Sequence, residues 1–439
     1  MARWEQGDRP PGPRGHWLTG NTPAYEADRI GFIERNHREY GDVFTFDDRT
    51  VFVIDPELAH DVLTRPGNAF LPELAPFDAR PDLDRAAERA DAWLPARRAA
   101  WAGLDRQASA AFDGRTVEIL DAALDAAAGR ETDVLALMRR YAAATIADYC
   151  FGADAAGVPE LLAEGVAATA PFETARYGFA AWLPVRRNRR FFRAHRAFTD
   201  ALLSVVRRRR AGTAPTGTSS AGTSTPDLLD VLLAARPALP DRAVVSTLRP
   251  VLLGGHGVPA AALTSLTWEL ASRPELVAAL RAEAGGPAGS GDPPPAARLP
   301  LAEAVVNEAL RLYPPAWLMT RTARTATGLG PWTLRPGDEV LIGAYLIHRD
   351  PRWWRRPDEF DPGRWAAGRP APGAAFLPFG AGPRVCIGTA LTMRQLTLTV
   401  SRLAQRGSVE SSNAASTRLR FAGRLAPAGL RARFIDRKS

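Results

Sequence analysis

A Pro- and Gly-rich lead opens the chain, and the first regular pattern is an apolar stripe at helical spacing from Tyr25 to Tyr40, which predicts an amphipathic helix. Two short runs, Asp42–Phe46 and Thr50–Ile54, are rich in aromatic and β-branched residues and predict strands. Residues 56–212 then read as successive helices, except Phe70–Arg89, whose Pro and Asp content predicts a long loop. Residues 211–226 hold mainly Ala, Gly, Ser, Thr and Pro, which bury too little surface to offset chain entropy. A flexible, disordered surface loop is expected there, and a second one over 285–298. Helices lie between and after these loops. Ala323–Ile347 reads as strand-rich, with turns at Gly328–Pro331 and Pro336–Gly337. A last helix is predicted after Gly388, and β-hairpins over 417–435. The pattern predicts a mainly α chain with small β-sheets, organised as one domain over residues 1–439.

Composition narrows the classes. A chain of 439 residues buries enough surface to enclose a large ligand. No apolar run approaches the roughly 18 residues of a membrane span, and no signal-peptide pattern is present. Only two cysteines occur, too few for a disulfide framework. Cys150 lies in the apolar helix YAAATIADYCF and reads as a buried thiol. A reduced, cytoplasmic location without a membrane anchor is expected. The net charge of +8 is diffuse, and the clusters Arg186–Arg190 and Arg207–Arg210 read as solvated helix ends. No aromatic-interleaved basic motif points to nucleic acid. A basic face suits an acidic electron-transfer partner instead.

The most informative stretch is Phe379-Gly-Ala-Gly-Pro-Arg-Val-Cys386-Ile-Gly388. Glycines at 380, 382 and 388 allow close backbone approach and φ > 0 where needed. A helix starting after Gly388 aims its N-terminus at Cys386 and favours a thiolate. This spacing resembles the haem-binding signature of the cytochrome P450 family. Glu308-Ala-Leu-Arg311 and Arg364 resemble that family's buried charged triad, and Trp93-Leu-Pro-Ala-Arg97 resembles its Trp-x-x-x-Arg motif. The resemblance covers nearly the whole chain and implies the cytochrome P450 fold, haem b, and Cys386 as the axial metal ligand. It further implies propionate contacts from Trp93, Arg97, Arg321 and Arg384, a haem-facing loop of Phe379, Gly380, Ile387 and Gly388, and a structural role for Glu308, Arg311 and Arg364. His348 is expected to be structural. A small-molecule substrate and a separate ferredoxin and ferredoxin reductase are the implied partners.

The stretch Leu252-Leu-Gly-Gly255-His256-Gly257-Val258-Pro259 departs from the family pattern. Most members carry an acid and a Thr where Gly257 and Val258 stand, and that pair relays protons for dioxygen activation. Pro259 lacks an N–H and should kink the helix, freeing the Gly255 carbonyl. Gly255, His256 and Val258 are therefore the distal candidates. Three catalytic readings follow. One is a monooxygenase whose substrate or water supplies the proton. Another is dioxygen-independent chemistry: peroxide use, or cyclisation, rearrangement, or nitrene or oxene transfer from a weak N–O or O–O bond. The third makes His256 a substitute acid. A non-catalytic haem-binding protein is the remaining alternative. By position, the substrate pocket should draw on Phe70–Arg89, Phe172–Trp182, Leu253–Val258, Ala316–Met319 and Ala426–Gly429.

Overall fold

The computed structural model describes residues 9–66, 69–72, 83–174, 183, 185–212, 226–285, 296–368, 371 and 373–436. It is mainly α with small sheets. At its centre is a 32-residue helix, Asp241–Ser272. Every residue from Pro259 to Thr267 in it is buried, as expected of a helix covered on all sides. Pro250 and Pro259 both lie inside this helix and neither ends it. Helix Val134–Phe151 packs against it so closely that a Cβ on Gly255 would meet Ile146 Cγ1 at 2.5 Å.

Helix Thr389–Arg406 is fastened to its neighbours by arginines along one face. Arg394 Nε donates to Asp113 at 2.8 Å, Arg402 Nε to Asp121 at 2.9 Å, and Arg406 Nε to Asp436 at 2.9 Å. Asp113 and Asp121 belong to helix Asp113–Asp125. The element leading to Thr389–Arg406 is thus held from behind.

The largest sheet runs in the order Val43–Asp47, Thr50–Val53, Glu339–Ile342, Met319–Ala323, Phe70–Pro72. Thr50–Val53 pairs with Glu339–Ile342 in parallel, and the other pairs are antiparallel. Its aromatic side chains close on the N-terminal helices: Phe46 stacks edge-on against Tyr25 and Phe32. A hairpin of Leu419–Phe421 and Leu425–Pro427 and a sheet joining Thr132–Asp133, Arg431–Asp436 and Gly407–Glu410 finish the chain.

Four expectations change. The Tyr25–Tyr40 helix is two helices, Thr22–Ala27 and Arg29–Tyr40, because Asp28 leaves helical geometry to cap the second through Gly31 N–H. Helix Leu83–Trp101 begins inside the stretch read as a loop, since Ala, Glu and Arg outweigh its Asp content; residues 73–82 lie outside the described residues. Ala344–Ile347 is helical, not strand. Arg209 is not a solvated helix end: its side chain is buried against Asp154, Asp227 and Asp230. Most of the expected loop at 211–226 and most of the one at 285–298 fall outside the described residues.

Candidate functional site

Cys386 sits between a tight loop and the first turn of Thr389–Arg406. Its backbone N–H donates to Phe379 O at 2.9 Å, which closes the loop on itself. Gly380 and Gly382 have φ of 70° and 71°, where L side chains are strained. A Cβ on Gly382 would also strike Leu63 O at 2.4 Å. Gly388 is different: its φ is −87°, so no left-handed conformation is required. A Cβ there would make only ordinary contacts, 3.8 Å from Thr392 Oγ1 and 4.0 Å from Cys386 Sγ.

Water reaches Cys386, yet burial is the largest influence on its thiol and pushes the pKa up. Both hold if the thiol opens into a recess rather than onto an outer face. Opposing the burial are the Gly388 backbone, the Thr389 hydroxyl and the Arg97 guanidinium, each favouring the anion. Thr389 Oγ1 also donates to Cys386 O at 2.8 Å. Sequence reasoning missed Thr389; its signal is a hydroxyl in the first turn after the glycine.

Arg97 is buried and donates through Nη2 to Val385 O, the residue before the cysteine. Burial lowers the pKa of both Arg97 and Arg384, and each cation is further influenced by its surroundings: Arg97 feels Cys386 and Arg384, while Arg384 feels Asp91. Arg97, close enough to feel both the Cys386 thiol and the Arg384 cation, makes with them a donor set suited to an anionic planar group with a sulfur-ligated metal. The donor set therefore fits a haem. Trp93 is one turn before Arg97 on Leu83–Trp101, but its side chain lies outside the described residues. Arg321 is half-buried on strand Met319–Ala323, with Nη1 donating to Thr320 O at 2.9 Å. Phe379 packs against the central core, and Ile387 against the cluster around Cys150 and Leu391.

Behind the loop, Glu308, Arg311 and Arg364 meet. The Glu308 carboxylate accepts from Arg311 Nε and Nη2 at 2.9 and 2.8 Å, Arg364 Nε at 2.9 Å, Asp361 N at 2.9 Å and Trp365 Nε1 at 3.0 Å. Burial alone would raise the Glu308 pKa; Arg311 and the other donors hold it below the usual range. Arg311 Nη1 also donates to His348 O at 2.9 Å. His348 is fully buried, and its Nε2 accepts from Leu377 N at 2.8 Å. With Nε2 accepting, Nδ1 carries the proton toward Arg311 O, 3.3 Å away. His348 thereby joins the triad helix to the backbone two residues before Phe379.

The cytochrome P450 family pattern matches residues 10–425 of this sequence, nearly its whole length. The chain belongs to the cytochrome P450 family. Among its relatives is cyclooctatin synthase of Streptomyces melanosporofaciens, 40% identical over 189 residues, 41% of this chain and 41% of that protein. Cyclooctat-9-en-7-ol 5-monooxygenase of the same species is 30% identical over 309 residues, 67% of this chain and 62% of that one. The matched stretches thus span under two thirds of these relatives' length. The crystal structure of the cytochrome P450DA heme domain superposes with a TM-score of 0.80 at 21% identity, covering 98% of this chain and 97% of that one, which shows the P450 fold. As a P450, the protein is built to hold haem, and among the described residues no helix is long and apolar enough to cross a membrane.

In the central helix, Gly254 is exposed and Gly255, Gly257 and Val258 are half-exposed, immediately before the buried run from Pro259 to Thr267. A Cβ on Gly257 would meet nothing within 4 Å. His256 turns the other way. It is buried, its Nδ1 has no hydrogen-bond partner, and burial with nearby Arg139 lowers its pKa to about 4. A neutral, inward-facing imidazole is a poor proton donor near neutral pH, which counts against His256 as the substitute acid. Leu253, Gly257, Ala261 and Ala426–Gly429 line a cavity of about 460 Å3. Thr169 and His195, two residues not anticipated, complete its polar wall. His195 Nδ1 accepts from Arg249 Nη2 at 2.5 Å, and Nε2 faces Thr169 Oγ1 at 3.2 Å. Burial and Arg249 lower the His195 pKa to about 4. The side chain of Phe172 and all of Trp182 lie outside the described residues.

Proposed function

We propose that this P450 is a haem-thiolate monooxygenase of a small organic molecule in bacterial specialised metabolism, with haem b ligated by Cys386. The observation that carries this reading is the solvent-reached Cys386 thiol in its glycine loop, with Arg97 close enough to feel both that thiol and Arg384. Haem, when bound, supplies the thiolate-ligated iron at which dioxygen is activated. Thr389, the Gly388 backbone and Arg97 favour the anionic form of the Cys386 sulfur, against the burial that raises its pKa. Arg97, Arg384 and Arg321, with Trp93, hold the two propionates. Gly254, Gly255 and Val258 shape the distal wall. Protons come through water in the space that Gly257 leaves open beside the 460 Å3 cavity, rather than from a side chain. A separate ferredoxin and its reductase deliver electrons, and the net charge of +8 supports an acidic partner. Two relatives whose names are cyclooctatin synthase and cyclooctat-9-en-7-ol 5-monooxygenase support the substrate class. The buried thiol of Cys150 supports a reducing cytoplasm.

One observation favours a second reading, oxygen-independent rearrangement, cyclisation or atom transfer: neither Gly257 nor Val258 bears a proton donor, and His256 is neutral. Turnover of candidate substrates with and without dioxygen and redox partners separates the two. Strict dependence on both is expected, and product formed anaerobically without reductant overturns the monooxygenase reading. Both readings require a thiolate-type Soret band from the carbon monoxide complex, absent in Cys386→Ala.

A further inference from the structure

The cavity beside the central helix has two chemically distinct ends. One wall is apolar, with Leu253, Ala261, Val166 and Pro427. Leu253, Gly257 and Ala261 follow at four-residue spacing, so one stripe of the helix forms this wall. The rim is cationic: Arg139, Arg420 and Arg424 line it. All three are exposed, and they come from separate places, Arg139 from helix Val134–Phe151 and the others from the hairpin 419–427.

Ion pairing neutralises several of the chain's arginines but not these three. Arg209, Arg394, Arg402 and Arg406 all form ion pairs with aspartates. Among the described residues, Arg139, Arg420 and Arg424 form none; Arg424 Nη1 donates only to its neighbour Gly423 O at 2.7 Å. Among the described residues that line the cavity the one carboxylate, Asp133, already accepts from Ala136 N at 2.9 Å as a helix cap. Three guanidinia against one carboxylate leave the rim net positive. Low-dielectric walls next to that charge focus its field into the cavity.

We propose that this cavity takes a molecule with an apolar body and an anionic headgroup, the headgroup at Arg139, Arg420 and Arg424 and the body along Leu253–Ala261. This rests on the reading that the cavity receives the substrate. Guanidinium forks match a carboxylate or a phosphate, and both share the chemistry assigned here. A cavity of about 460 Å3 has the size of a small-molecule site.

The test is calorimetric titration of the haem-loaded protein with dodecanoate, dodecyl phosphate and 1-dodecanol, probes that share a chain and differ in headgroup. At low salt at least one anion binds about tenfold or more tightly than the alcohol, and salt near 0.5 M reduces the difference. The tighter anion identifies the headgroup. In Arg420→Ala/Arg424→Ala the anion preference falls to about threefold or less, while the alcohol's Kd is unchanged. Arg139→Gln, on a different element, reduces the preference without touching the hairpin. Equal binding of alcohol and anions, no anion binding, or a preference that survives both variants overturns the proposal. The carbon monoxide spectrum of the same preparation separates the two levels. A thiolate-type band without anion preference removes the headgroup assignment alone, and failure to load haem removes the reading beneath it.

Discussion

Thr389 acts on the candidate ligand from one turn of helix, through both the carbonyl and the thiol of Cys386. A hydrogen bond to a partly wet anion contributes about 1 kcal/mol, equivalent to at most about 0.7 in pKa. In haem-free protein, Thr389→Val should therefore raise the pH of half-maximal Cys386 alkylation by up to that amount. An unchanged alkylation profile would mean that the hydroxyl serves only the helix cap. Glu308 is the opposite case, a fully buried carboxylate that accepts five hydrogen bonds. Glu308→Gln strands the Arg311 and Arg364 guanidinia in the core, and breaking a buried pair costs about 3–5 kcal/mol. Urea unfolding measures this directly, and a loss below about 1 kcal/mol would show the network behaving like a surface pair.

At the scale of elements, Gly255 sets how closely Asp241–Ser272 and Val134–Phe151 cross. Gly255→Ala places a methyl 2.5 Å from Ile146 Cγ1, an overpacking that costs about 1–3 kcal/mol. Ile146→Ala removes that atom and Cδ1, leaving Cβ at 3.1 Å. The double variant should then be more stable than the sum of the single losses predicts, and strict additivity in thermal unfolding would exclude the contact. How far each element was readable follows from what determined it. The Cys386 loop was legible because its glycines and cysteine are demanded by local backbone and by the sulfur itself. The Glu308–Arg311 spacing was legible, but three of the five hydrogen bonds to Glu308 come from Asp361, Arg364 and Trp365, over fifty positions later, which periodicity does not see. Helix Leu83–Trp101 was misread at its start because Asp and Pro before it mimic a loop. Arg209 was misread because burial of a cation depends on three aspartates brought from elsewhere. His195 and Thr169 gave no signal, since only the tertiary fold sets them on one cavity.

Across the whole molecule, two histidines in different layers make stability depend on acid. His348 is fully buried between the triad and the loop before Cys386, with a pKa lowered to about 3 by burial. His256 is buried on the central helix, with a pKa lowered to about 4 by burial and Arg139. The unfolded chain takes up these protons below about pH 6.5, while the folded chain refuses them until much lower pH. Their stabilising contribution is therefore complete above pH 6.5 and is lost progressively as pH falls toward 4 and 3. Between pH 7 and 5 each should cost about 2 kcal/mol, so the native chain loses about 4 kcal/mol from this source. Glu308 does not enter this window: its lowered pKa keeps it ionised until lower pH. His256→Leu isolates one contribution, because Nδ1 has no partner and no hydrogen bond at that atom is lost. Urea unfolding of both proteins at pH 7 and 5, at one ionic strength, should show the variant losing about 2 kcal/mol less than the native chain. Equal losses would mean that His256 takes up its proton as readily folded as unfolded. That result would reopen the possibility that this imidazole carries a proton beside Gly257.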